Sequence, residues 1–90
     1  MIQQLLVKPH YVLRCSVKKT GVPDRYRAIL QTLDGIQSLI VGKDAVVRGG
    51  IKVFVNDSNP RFVLVRPVGE NLEVFRVRPS QVVPLKSRGA

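Results

Sequence analysis

Basic side chains alternate with aromatic and aliphatic ones along much of this chain. Arginine makes bidentate contacts to phosphate and stacks on bases, lysine neutralises phosphate, and an aromatic ring stacks on a base. This combination is typical of nucleic-acid binding. The candidate binding residues are nine basic and two aromatic ones: Arg14, Lys18, Lys19, Arg25, Tyr26, Arg27, Arg61, Phe62, Arg66, Arg76 and Arg78.

The charge balance points to the same kind of ligand. The 90 residues include fifteen Lys and Arg against six Asp and Glu, which gives a net charge of +9 and a pI near 10.7. The basic excess is spread along the chain and is not confined to one tail. A small domain with this charge favours polyanionic partners, nucleic acid above all and acidic proteins second.

Residues that could carry catalysis or hold a metal are few. Cys15 is the only cysteine and His10 the only histidine, so an internal disulfide and a cysteine-rich zinc site are excluded. Side chains five residues apart on one strand point to opposite faces, which argues against a Cys15–His10 dyad. All four aspartates lie next to turn residues, where Asp bonds the local backbone. We expect no enzyme, no metal and no cofactor; a divalent-metal nuclease using two aspartates is the remaining enzymatic alternative.

Composition favours strands over helices. Valine occurs sixteen times, whereas alanine occurs three times and glutamate twice. Ninety residues suggest one domain, so we expect residues 1–85 to form a single β-rich domain and 86–90 a basic flexible tail. The fold class expected is mainly β: a small antiparallel β-barrel, OB-like or SH3-like.

The first half of the chain contains one clear strand and one ambiguous segment. Residues 10–18 alternate apolar with basic or polar side chains, which predicts a half-buried strand with a basic outer face. In 23–34 the apolar residues have the i, i+3, i+4, i+7 spacing of a short helix. The competing interpretation is a hairpin that turns at Asp34-Gly35 and pairs Leu30 with Leu39. Because both remain open for 23–34, α+β is the alternative fold class.

Residues 50–78 predict three antiparallel strands, over 51–55, 61–66 and 72–78. The expected register pairs Val53 with Val63 and Leu64 with Phe75. One face is then an aliphatic core face, with Arg61, Arg76 and Arg78 at its rim. The other face carries Phe54, Phe62 and Phe75 among basic residues. It is either a platform on which bases stack or buried core.

The chain contains Lys8-Pro9, Thr20-Gly21-Val22 ahead of Tyr26, and Val83-Pro84-Leu85-Lys86. In its size and in these stretches it resembles the small single-strand-binding proteins of filamentous phages. The last hairpin, before residue 78, has no counterpart in that family. The resemblance implies a five-stranded OB-type barrel that binds single strands.

Noncatalytic nucleic-acid binding, with single-stranded DNA or RNA favoured, is the leading hypothesis. The alternative is a protein-interaction or regulatory module that binds an acidic partner or forms a homodimer through a sheet face. Neither a signal peptide nor a membrane span is expected, because the longest apolar runs are far shorter than either requires. The lone cysteine fits a reducing compartment, so we expect a cytoplasmic protein.

Overall fold

The computed structural model describes residues 11–69 and 73–85; the predicted tail 86–90 and His10 lie outside them. Within these residues the chain forms nine strands, two 3-10 turns (Lys43–Ala45 and Pro79–Gln81) and no α-helix. The mainly β class is therefore confirmed. The strands are β1 Tyr11–Arg14, β2 Ser16–Lys19, β3 Arg25–Thr32, β4 Gly35–Gly42, β5 Val46–Val47, β6 Gly50–Ser58, β7 Val63–Pro67, β8 Phe75–Val77 and β9 Val82–Pro84.

The strands form two antiparallel sheets. The large sheet has the order β8-β7-β6-β1-β9, with β5 also paired to β6, and the small sheet has the order β2-β3-β4. β1 and β2 are separated only by Cys15 and belong to different sheets, so the chain passes from one sheet to the other at this residue. The OB-like or SH3-like barrel remains a prediction.

The inner faces of the two sheets form one hydrophobic core. The large sheet contributes Leu13, Ile51 and Val53, and the small sheet contributes Leu30, all with no exposed surface. Burying such side chains contributes about 1.5 to 3 kcal/mol each. No polar or charged residue is buried among the described residues. None of the described charged side chains is therefore part of the core.

The short helix over 23–34 and the α+β alternative are wrong, because β3 is hydrogen-bonded on both sides. β3 pairs with β2 and, over its whole length, with β4. Its side chains alternate, with Ala28 and Leu30 buried and Arg27 and Gln31 exposed. The two ladders hydrogen-bond the backbone of β3 on both sides, whereas the short helix over 23–34 would leave the groups at its ends unpaired. The burial of alternate side chains agrees with a strand.

The hairpin between β3 and β4 forms, with its turn at Leu33-Asp34, one residue earlier than predicted, which shifts the pairing by two residues. Thr32 pairs with Gly35, and Leu30 pairs with Gln37 instead of Leu39. The Thr32 hydroxyl donates to the Gly35 carbonyl at 2.7 Å and accepts from the Asp34 N–H at 3.0 Å, which brackets the turn. Because a shift of two residues preserves the alternation, every side chain remains on its predicted face.

The register of the predicted three-strand sheet is corrected in two places. β6 pairs Val53 with Pro67, four residues from the expected partner, so the faces are unchanged. β8 pairs Val65 with Phe75, a shift of one residue that reverses its faces. Phe75 therefore packs against the core, and Arg76 lies on the outer face instead of at the core rim.

Arg76 joins the two sheets through the β3–β4 turn. Its guanidinium forms an ion pair with Asp34, with a second contact of 3.3 Å from Nε to Oδ2, and the Arg76 carbonyl accepts from the Leu33 N–H at 2.9 Å. The hydrogen bond from Arg76 holds the pKa of the Asp34 carboxyl below its usual value. The turn of the small sheet is thus fixed against β8 of the large one.

The Asp34–Arg76 pair predicts a small acid-dependent loss of stability. Because the pKa of Asp34 is lowered by folding, its contribution is present above the unfolded value near 4 and disappears as the pH falls through the folded value. Both groups are exposed, so we expect an effect of only a few degrees in Tm. Tm measured from pH 2 to 7 should differ between native protein and Asp34→Asn at neutral pH and converge at pH 2.

Asp44→Asn is the matched control, because it removes a carboxyl of the 3-10 turn Lys43–Ala45 and leaves the Asp34–Arg76 ion pair in place. It should not reproduce the convergence. A difference for Asp34→Asn that persists unchanged to pH 2 would contradict the ion-pair origin of the effect.

Candidate nucleic-acid interface

The outer face of the small sheet collects basic residues from two neighbouring strands. Side chains alternate along β3, and Ala28 and Leu30 are buried. The odd-numbered residues of β3 therefore point to the outer face. We call this surface the basic sheet face. Its members, assigned by strand pairing, are Ser16, Lys18, Arg25, Arg27, Ile29, Gln31, Ile36, Ser38 and Ile40.

Two like charges lie directly opposite each other on the basic sheet face. Lys18 of β2 pairs with Arg27 of β3, and Arg25 lies on the same side two residues along. All three are exposed. No acidic residue belongs to this face, so the three cations are neighbours without a carboxylate among them. Such a pair destabilises a sheet by roughly 0.2 to 1 kcal/mol, and an anion bound across it would relieve the repulsion.

Two large apolar side chains are exposed beside these cations. Ile40 lies opposite Arg27 on β4 and is 48% exposed, and Ile36 on the same face is 72% exposed. The face therefore offers positive charge for phosphates and an adjacent apolar surface for sugars or bases. Ile36 and Ile40 were not among the predicted binding residues. Side chains alternate along β4, and this alternation, which places both isoleucines on the same face as Arg27, could have indicated them.

The turn that leads into β3 positions Arg25. The Thr20 hydroxyl donates to the Arg25 carbonyl at 3.0 Å and accepts from the Val22 N–H at 3.1 Å. Gly21 and Asp24 both have positive φ, which compresses the connection between β2 and β3. Arg25 thus begins β3 in a defined position at one end of the basic sheet face.

The outer face of the large sheet carries a second aromatic and basic group. The Arg66 guanidinium lies 4.5 Å from the centroid of the Phe54 ring, and that of Arg76 lies 5.8 Å from the Phe62 ring. Phe54 and Phe62 are half-buried and are not part of the core cluster, whereas Phe75 is packed against it. The platform of three phenylalanines is therefore reduced to two rings, each already beside an arginine.

The eleven predicted residues are divided between different parts of the surface. Lys18, Arg25 and Arg27 share the basic sheet face, and Arg14 and Arg78 line a groove at one end of it. Arg66 and Arg76 belong to the large sheet, and Phe62 directly precedes its strand β7. The remaining three are placed elsewhere: Lys19 at the edge of β2, Arg61 in the loop between β6 and β7, and Tyr26 against the core.

Tyr26 is the clearest correction within this set. It was expected as a stacking ring between Arg25 and Arg27, yet its side chain is half-buried and packs against the core. The alternation of β3 gives the physical reason, since neighbouring residues on a strand point to opposite faces. Arg25 and Arg27 therefore share the basic sheet face without an aromatic ring between them.

No family model, curated protein or solved structure matches this chain. Its function is accordingly inferred from the charges, exposure and pairing of its own residues.

Cys15 is half-buried between β1 and β2. Burial raises the pKa of the Cys15 thiol to about 11, against a smaller lowering from a backbone hydrogen bond involving Ile51, so the reactive thiolate is scarce at neutral pH. Across residues 11–69 and 73–85, no three His, Cys, Asp or Glu side chains come close enough to hold a metal ion. The same ranges contain no helix that is long and apolar enough to cross a membrane.

Proposed function

We propose that this protein is a noncatalytic nucleic-acid-binding protein of the cytoplasm that binds single-stranded DNA or RNA through the basic sheet face. The observation that carries the proposal is the cross-strand pair of Lys18 and Arg27 on a face without carboxylates. Phosphates bound across this pair would replace a repulsion with two attractions, and they would release the counterions condensed on the nucleic acid.

Unpaired nucleotides suit this face better than a duplex does. The exposed Ile36 and Ile40 adjoin the cations, and only a single strand presents both phosphates and unstacked bases or sugars to such a surface. The face extends along β3 from Arg25 to Gln31, which at about 3.4 Å per residue is roughly 20 Å and long enough for several nucleotides.

The test is a fluorescence polarisation titration of a single-stranded oligonucleotide at several salt concentrations. Lys18→Gln/Arg27→Gln should weaken binding about tenfold or more, and the log–log salt slope should fall in magnitude by about 1.4 because two phosphate contacts are lost. The same variant should be as stable as the native protein or more so, because it removes the like-charge pair. Tm measured in parallel shows whether affinity and stability move in these opposite directions.

Arg48→Gln/Lys52→Gln is the matched control. It removes the same charge from the β5–β6 turn and from the outer face of the large sheet, so its effect on affinity should be below threefold. Absence of binding by the native protein at low salt would refute the proposal. An equal loss in both double variants would show that net charge alone, and not this face, determines binding.

The exposed isoleucines also support a second candidate, a protein-interaction module that binds an acidic partner through the same face. A homodimer through this face is less favourable, because it would bring together Lys18 and Arg27 of two copies. Sedimentation of the protein alone and mixed with DNA or RNA distinguishes the candidates: a stable dimer that ignores both nucleic acids would favour the interaction module over nucleic-acid binding.

A further inference from the structure

A groove separates the end of the basic sheet face from the 3-10 turn Pro79–Gln81. Its apolar lining includes Ile29 and Ile36, its polar lining includes Ser16 and Ser80, and Arg14 and Arg78 line it as well. We call it the arginine groove. None of the described residues that line it is acidic, so an anion that enters would meet two arginines and no described carboxylate.

Both arginines are attached to fixed backbone. Arg14 ends β1, where it pairs with Gly50 of β6. Arg78 precedes the 3-10 turn, and its N–H donates to Gln81 Oε1 at 3.0 Å. Gln81 Nε2 in turn donates to the carbonyl of Gln31 on β3 at 2.9 Å, which fixes the turn against the small sheet. The groove therefore has two walls held by hydrogen bonds.

The groove continues the basic sheet face directly. Ile29 and Ser16 are cross-strand partners, and the next pair of β2 and β3 on the same face is Lys18 and Arg27. A chain of phosphates that crosses Lys18 and Arg27 would therefore reach Arg14 and Arg78 without crossing an acidic residue. The two features form one continuous path from the flat sheet surface into the groove.

We propose that the arginine groove is a nucleotide site that selects single strands over duplexes. Arg14 and Arg78 bind phosphate, and Ile29 and Ile36 contact the base or sugar of the same nucleotide. A paired base cannot leave its stack to enter a groove between two walls, whereas an unpaired one can. This inference rests on the proposed function and adds to it the site that makes the selection.

The test compares two double variants on two ligands by polarisation. Arg14→Gln/Arg78→Gln should weaken binding of a single-stranded oligonucleotide about tenfold, while binding of a duplex of equal length changes less than threefold. Lys18→Gln/Arg27→Gln should weaken both ligands, because both reach the open face. The preference for single strands should thus collapse only in the groove variant. DNA and RNA versions of the single strand show whether the 2′-hydroxyl contributes.

Equal loss of both ligands in the groove variant would overturn the inference while leaving the proposed function intact; absence of all binding by the native protein would refute the proposed function itself. A Tm within a few degrees of the native value shows that the variant is folded. As an independent measurement, a single strand carrying 5-iodouridine should crosslink to peptides from 29–36 or 78–81. Crosslinks confined to β6, β7 and β8 would also overturn the inference.

Discussion

The Gly50→Ala variant is expected to lose at least about 3 kcal/mol of its free energy of unfolding. A Cβ atom at position 50 would lie 2.0 Å from the carbonyl oxygen of Leu13 and 2.9 Å from its carbonyl carbon. These are backbone atoms of β1, which is paired with β6 through Leu13–Ile51 and Arg14–Gly50. The contact cannot be relieved by a side-chain rotation, so the two strands must separate locally.

Gly42→Ala is the matched control for this variant. Gly42 has a φ of −81°, which alanine adopts freely, and the nearest atom to an added Cβ is Arg25 Nη1 at 3.6 Å, at the end of a flexible side chain. We expect a change within about 0.5 kcal/mol of zero, measured by urea unfolding. A Gly50→Ala protein within 1 kcal/mol of the native value would contradict the close approach of β1 to β6.

Gly50→Ala should also weaken nucleic-acid binding. β1 ends at Arg14, and β2, which carries Lys18, begins after the single residue Cys15, so a displacement of β1 moves two residues of the proposed binding surface. A glycine pair such as 49–50 is typical of a turn or bulge. Gly49 does have a positive φ, but the requirement at Gly50 is a close backbone contact that only the tertiary structure reveals.

The sequence predicts faces better than registers, and the physical reason is the period of the strand. Hydrophobic alternation determines which side chains point inward, and it is unchanged when a pairing shifts by two or four residues, as at Leu30 and Val53. A shift of one residue reverses a face. In β8 both choices bury apolar residues, so alternation alone could not decide between Phe75 and Val74, and the predicted register was wrong there.

The grouping of the binding residues could be predicted only in part. The placement of Arg25 and Arg27 on one face follows from alternation within β3. The basic outer face of the strand predicted over 10–18 already included Lys18 and Arg14. That Arg78 comes near Arg14 depends on the passage between sheets at Cys15 and on the 3-10 turn Pro79–Gln81, which no local pattern encodes. The sequence shows how many basic residues are present, whereas long-range strand pairing determines which of them are neighbours.

The second large effect is expected for Leu30→Ala, which should cost about 2 to 5 kcal/mol of stability. Leu30 has no exposed surface and belongs to the core cluster formed by both sheets. Its truncation leaves a cavity between rigid ladders, since β3 is paired on both sides and cannot collapse into the space. Urea unfolding measures the loss, and a cost below 1 kcal/mol would contradict the placement of β3 in the centre of the small sheet.

Ile40→Ala is the matched aliphatic change on the neighbouring strand, and it should give the opposite pattern. Ile40 is 48% exposed on the basic sheet face, opposite Arg27, so its truncation should cost less than about 1 kcal/mol of stability. Its contact with the bound strand would be lost, and affinity should fall several-fold at an unchanged salt slope, because no phosphate contact is removed. A lower affinity with a smaller salt slope would instead mean that Ile40 supports Arg27. Unchanged affinity would show that nucleotides bind the cations of this face without using its apolar surface.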